Sequence, residues 1–128
     1  MADIDIPAVL DQAAAHIDRV GWHQGSLYDP TQSDKAVIDC PVCAMGAINV
    51  ALHGTPLFPN VQGEASTLEI VAVIENFLDL PGEGEDLPGW NDEPGRTQAG
   101  VTDALRDTAD SLRYVGHEPA AAGDGGAA

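Results

Sequence analysis

Cys43 is the residue in this sequence whose type and place could most readily do chemistry. It stands at the head of a stretch that reads as a helix, Val42 to Leu52. A helix N-terminus lowers the pKa of a thiol, because its dipole stabilises the thiolate. Thiol chemistry then needs a base and an orienting group. His23 or His53 could supply the first and Asn91 the second, which is the outline of a Cys-His-Asn site. The opposing reading makes Cys43 a small buried hydrophobe. It precedes Gly46 by three residues and Ala47 by four, so all three share one helix face made of small groups. The sequence favours this second reading, and no catalytic residue is assigned.

Cys40 and Cys43 also form a C-x-x-C pair. As a redox pair it would need a βαβ setting, which the pattern lacks. As structural zinc it would need four ligands, and His23 and His53 would have to complete the set. No second C-x-x-C and no H-x-x-x-H is present, so neither a metal nor any other cofactor is expected. Asn91, Asp92 and Arg96 fall in one turn after Trp90. They could hold a polar ligand or a basic partner. They could equally hold the turn itself, with Asp92 accepting from loop amides and Arg96 bonding Asp92 or loop carbonyls. With Trp22 and Gln24 from an earlier turn, the candidate binding set is Trp22, Gln24, Trp90, Asn91, Asp92 and Arg96.

The elements that position these residues are helical. Ile6, Val9, Leu10, Ala13, Ala14, Ile17 and Val20 repeat with helical spacing. Asp5 and Pro7 mark the start of that helix and Gly21 its end. Trp22-His23-Gln24-Gly25 and a polar loop follow, with room for one short strand or hairpin near residues 25–38. A second helix is expected to start at Asp39 or Cys40, with Pro41 in its first turn, and to stop at Gly54. A third runs from Glu64 to Leu78, with Leu68, Val71, Ile74, Phe77 and Leu78 inward and Glu64, Glu69 and Glu75 facing solvent. The run from Leu80 to Gly89 is so dense in Gly, Pro and acid that it reads as a break. Thr97 caps a fourth helix that carries Val101, Ala104, Leu105, Thr108, Leu112 and Val115 and ends at Gly116. The expectation is therefore an all-α, compact bundle of about four helices with two Trp-containing loops. It is one domain over residues 1–116, followed by a disordered acidic Ala/Gly tail over 117–128.

Three short motifs occur in order: Gly21-Trp22-His23-Gln24-Gly25, Cys43-Ala44-Met45-Gly46-Ala47-Ile48, and Trp90-Asn91-Asp92 leading to Gly95-Arg96-Thr97. Together they resemble a family of actinobacteria and their phages and mobile elements, the domain of unknown function numbered 6197. The resemblance spans roughly Val9 to Leu112. It implies a compact helical domain of actinobacterial or actinophage origin, and it implies no activity. Gly100 stands where the family pattern has an acid that would complete a capping box after Thr97, so that cap is expected to be weaker here.

Charge bounds the function. The 128 residues carry 21 Asp and Glu against 5 Lys and Arg, a formal net charge of −16. Such a surface repels phosphate backbones and anionic membranes and draws basic partners. No apolar run approaches the ~20 residues of a membrane span. The acidic start lacks the basic region of a signal peptide, so a cytoplasmic location is expected. The sequence carries no signal for an oligomeric state. The favoured expectation is a small acidic interaction protein, not an enzyme, encoded by a phage or mobile element and engaging a basic host protein surface. The alternative is a small thiol-dependent enzyme or ligand-binding protein using Cys43 with His23 or His53 beside the Trp90-Asn91-Asp92 loop.

Overall fold

A computed structural model describes residues 4–117. Of the tail expected over 117–128, His117 is still helical and the remainder lies outside the described residues. The chain is all-α: α1 (Ile6–Val20), α2 (Ala44–His53), α3 (Val61–Phe77), α4 (Leu87–Asn91) and α5 (Gln98–His117), with 3-10 turns at Val37–Asp39 and Pro81–Glu83. α1 and α5 pack along each other, and α1 also packs on α2. Arg106 pairs with Asp18 and Arg113 with Asp11. Numbers that rise along α1 thus fall along α5, and the two helices are antiparallel.

The core is aliphatic, as the composition requires. Leu10, Ile17, Ile48, Ile70, Ile74, Leu87 and Leu105 are all fully buried. α1 starts as its sequence dictates: Asp5 accepts from the Ala8 amide at 3.2 Å and Pro7 sits in the first turn. Thr97 caps α5 through the Gly100 amide at 3.0 Å. α2 lies inside the bundle, with Ala44 through Asn49 all buried. Gly46 is the reason it can lie so close. A Cβ there would fall 2.1 Å from the Leu27 carbonyl oxygen.

Four expectations are corrected. α2 does not begin at Asp39 or Cys40; its first residue is Ala44 and Cys43 is its N-cap. Cys40, held by the following Pro41, is extended (φ −82°, ψ 149°), the conformation that a residue before proline prefers. Val42 is extended as well and bridges Trp22 on one side and Tyr28 on the other. These single bridges are the only strand character near residues 25–38 among the described residues. The stretch read as a break ends inside the short helix α4, which joins the four longer helices that make up the expected bundle. On α3, Leu68 and Phe77 face outward, each 44 % exposed, and Glu75 is half-buried, its carboxylate accepting from the Leu87 amide at 2.7 Å. The buried face is instead Gly63, Thr67, Ile70, Val71 and Ile74.

One buried group makes the fold sensitive to pH. His16 on α1 is buried, and its Nδ1 lies 3.0 Å from the Arg19 guanidinium. A guanidinium only donates, so Nδ1 accepts and the ring proton sits on Nε2, which is buried without a partner. Burial, and then the Arg19 charge, lower the His16 pKa below the ordinary 6.5, with Asp39 opposing. A depressed histidine contributes stability that is present above the unfolded pKa. That stability is lost as pH falls below it, because the unfolded chain takes up a proton that the folded chain refuses. The melting temperature should therefore fall between about pH 7.5 and pH 5.5, a window that brackets the free-histidine pKa. His16→Leu should flatten that fall. Parallel melting curves for the two proteins check this, and identical pH slopes would refute it.

Candidate functional site

The site is the place where the three motifs meet. The turn after α1 carries Trp22 to Gly25, and it is fixed by the bridge to Val42. The Val42 amide donates to the Gly21 carbonyl at 3.1 Å, and the His23 amide donates to the Val42 carbonyl at 2.9 Å. From the other side the Cys43 amide donates to the Leu27 carbonyl at 3.2 Å. The head of α2 is thus held between two segments of the loop.

α4 brings the third motif. Asp86 caps it through the Gly89 amide at 2.9 Å and Pro88 occupies its first turn, so five residues suffice to deliver Trp90 and Asn91, both buried. Asn91 is the hub. Its Oδ1 accepts from Trp22 Nε1 at 2.9 Å and from the Ala44 amide at 3.0 Å. Its Nδ2 donates to the His23 carbonyl at 3.1 Å and to Asp92 Oδ1 at 3.0 Å. A side-chain amide has two acceptor sites and two donors, and all four are used here inside the domain.

The neighbours complete the joint. Gln24 Nε2 donates to the carbonyls of Asn91 and Glu93, each at 3.1 Å. Asp92 also accepts from the Gly25 amide at 2.9 Å. Arg96 donates from Nε to the Trp90 carbonyl at 2.9 Å, and its guanidinium lies 4.1 Å from the Trp90 ring centroid. Its ion pair is with Glu93 at 2.6 Å. The structure therefore brings all six candidate binding residues together, and their bonds run to one another, to Glu93 and to the backbones of the loops and the head of α2.

Cys43 is placed beside this joint but is not armed. Its Sγ accepts from the Gly46 amide at 3.3 Å, which makes the thiol the N-cap of α2. Burial pushes its pKa up, with the Gly46 amide opposing and the Asp92 charge adding to the rise. Desolvation outweighs the dipole effect that the sequence suggested. The would-be bases are engaged elsewhere. His23 Nε2 is 3.0 Å from Ser26 Oγ, and His53 Nε2 is 3.0 Å from Thr67 Oγ1 on α3. The Cys40 thiol points to the carbonyls of Ala36 and Gln32, at 3.5 and 3.8 Å. Among the described residues no three His, Cys, Asp or Glu side chains gather as a metal would require, so Cys40, Cys43, His23 and His53 do not form the set considered above. Cys43→Ala should cost roughly 1 kcal/mol, the usual size of a lost N-cap. Alkylation of Cys43 should be much slower in the folded chain than after unfolding. Rapid labelling of the native protein would contradict this placement.

A cavity of about 190 Å³ opens next to the thiol, lined by Gly25, Ser26, Leu27, Cys43, Met45, Pro88 and Asp92. All three motifs contribute to its wall: Gly25 from the first, Cys43 and Met45 from the second, and Asp92 from the third. A second polar cluster was not foreseen. Asn49 on α2 donates to the Pro56 carbonyl at 2.9 Å and accepts from the Thr67 hydroxyl at 2.6 Å, and His53 closes the group. Its signal was an asparagine in an otherwise apolar helix. It links α2 to α3 and leaves no open site.

A family model described as a family of unknown function (DUF6197) matches residues 1–111. No curated protein and no solved structure matches the chain.

Proposed function

The chain belongs to the DUF6197 family, and since that membership lends it no activity, we propose from its own surface that it is a small acidic interaction protein for a basic protein partner. The observation that carries this reading is where the positive charges go. Arg19, Arg96, Arg106 and Arg113 are each paired with a carboxylate of the same domain, Asp39, Glu93, Asp18 and Asp11 respectively. With 21 acids in the sequence, most of the acidic surface has no internal counter-charge. Asp79, Glu83, Glu85, Asp86, Asp92 and Glu93 crowd the segment around α4, and all but the half-buried Glu85 are exposed. Glu85 is held above the ordinary carboxylate range by desolvation and then by the charge of Glu93 beside it. A cation brought there relieves repulsion that the folded chain already carries.

The same reading makes the chain an accessory factor of a phage or mobile element, acting in the cytoplasm of an actinobacterial host. It is supported by the motif resemblance and by two cysteines that are both free. The test is retention of host proteins by the immobilised chain at low and at high salt. Basic proteins should be held at low salt, released at high salt, and lost to a Glu83→Lys/Glu85→Lys/Glu93→Lys variant. Retention indifferent to both salt and charge reversal would overturn it. A second reading, a small-ligand protein, draws on the cavity beside Cys43. Native mass spectrometry showing a bound small molecule that Met45→Trp displaces would favour it.

A further inference from the structure

α3 is apolar on two sides, and only one of them is covered. The covered side is Gly63, Thr67, Ile70, Val71 and Ile74. On the far side stand Val61, Ala65, Leu68 and Ala72, all exposed, with Val61 at 82 % and Leu68 at 44 %. Their spacings are four, three and four residues. That is the seam of a coiled coil, with Val61 and Leu68 at one apolar position of the heptad and Ala65 and Ala72 at the other. The seam runs about 16 Å, eleven residues at ~1.5 Å each. The positions that flank such a seam decide which helix may lie on it. Here they are Glu64 and Val71 on one side and Gln62 and Glu69 on the other, of which Val71 belongs to the core while both glutamates are exposed, and α3 contains no lysine or arginine.

We infer that this outer face of α3 is a docking surface for a basic amphipathic helix of a partner protein, with Lys or Arg flanking a leucine-type seam. The inference rests on the reading of the chain as an acidic interaction protein and adds an apolar anchor for the partner to the acidic segment around α4. Charge selects the occupant. A second copy laid parallel would set Glu64 against the Glu69 of its partner, and in any orientation it would bring together two bodies of formal charge −16. A basic helix instead finds a carboxylate on each side of the apolar strip, and the small Ala65 and Ala72 let its leucines sit close. Ala, Val and Leu in this register lie on a face turned away from the core, where a partner would bury the surface they leave exposed.

The probes are two synthetic helical peptides with the same leucine seam, one flanked by lysine and one by glutamate, each titrated into the full chain. Amide NMR shifts should localise to residues 61–72 for the lysine peptide and be absent for the glutamate peptide. Leu68→Lys should weaken the lysine peptide about tenfold or more, as the loss of a central anchor does, with an unchanged melting temperature showing that the variant is folded. Glu64→Lys/Glu69→Lys should reverse the preference between the two peptides. Equal binding of both peptides, binding indifferent to Leu68→Lys, or a homodimer that Leu68→Lys disperses would each overturn the inference. Host-protein retention separates this from the broader reading. Retention lost to reversal of Glu83, Glu85 and Glu93 but untouched by Leu68→Lys removes the α3 face and leaves an acidic interaction protein.

Discussion

Gly46→Ala is expected to destabilise the domain by about 3 kcal/mol or more, at the upper end of what overpacking a helix contact costs. The sign alone is informative. In a free helix the same change gains up to ~1 kcal/mol, since alanine is the better helix former. Here the new methyl would meet the Leu27 carbonyl oxygen at 2.1 Å and its carbon at 3.1 Å. Neither atom is the end of a flexible side chain. The Leu27 carbonyl is also held in place by the Cys43 amide, so moving it gives up a hydrogen bond at the head of α2. At roughly 3–5 °C per kcal/mol for a domain of this size, the melting temperature should drop by about 10 °C. An unchanged or raised melting temperature would mean that the loop does not press on α2 as described.

Asn91→Ala should be comparably severe, at about 3 kcal/mol, because one buried and two half-buried groups lose their partner at once, and a buried one alone costs roughly 1–3 kcal/mol. Those groups are Trp22 Nε1, the Ala44 amide and the His23 carbonyl. Asn91→Asp tests the chemistry at constant shape. It keeps both acceptor bonds but turns Nδ2 into an oxygen that faces the His23 carbonyl and the Asp92 carboxylate. It should cost nearly as much as alanine despite being isosteric. The two tryptophans are the only ones in the chain, so their fluorescence reports the joint directly. Asn91→Ala with full stability and native Trp emission would show that the side chain is not the hub.

The residues also show which parts of this structure could be read from sequence. α1 was legible because its signals are local: Asp5, then Pro7, then an apolar stripe, then Gly21. The small-residue face of α2 was also legible in Cys43, Gly46 and Ala47, and such a face lets a neighbour approach closely. What approaches Gly46 is the backbone of Leu27 and not a ring, which composition cannot specify. α4 was missed although Asp86-Leu87-Pro88 repeats the Asp-x-Pro grammar that starts α1. The surrounding Gly, Pro and acid outweighed a signal only one turn long. The start of α2 was misplaced because Val42 is claimed by Trp22 and Tyr28, contacts that lie far away along the chain. α3 has apolar residues on two faces, so periodicity alone could not choose which one the core would take. At the site, the residue types of Asn91, Asp92 and Gln24 were visible, but the partners that join the motifs lie 47 to 69 residues away, and only the fold shows that those bonds close inward.

The pairing of α1 with α5 has a consequence for how the protein is made. The two helices stand at opposite ends of the described chain, with Asp18 and Arg106 separated by 88 positions. A ribosome adds roughly 5–20 residues per second. The apolar stripe of α1 therefore waits on the order of 5–20 s before the helix that covers it exists. Contacts this distant in sequence also form slowly. The nascent chain spends that interval with the side of α1 that α5 will cover open to whatever binds greasy helices, and it does so while carrying enough negative charge to keep neighbouring nascent copies apart. A chain released before α5 is complete should be a substrate for holdase chaperones and proteases rather than a smaller folded protein.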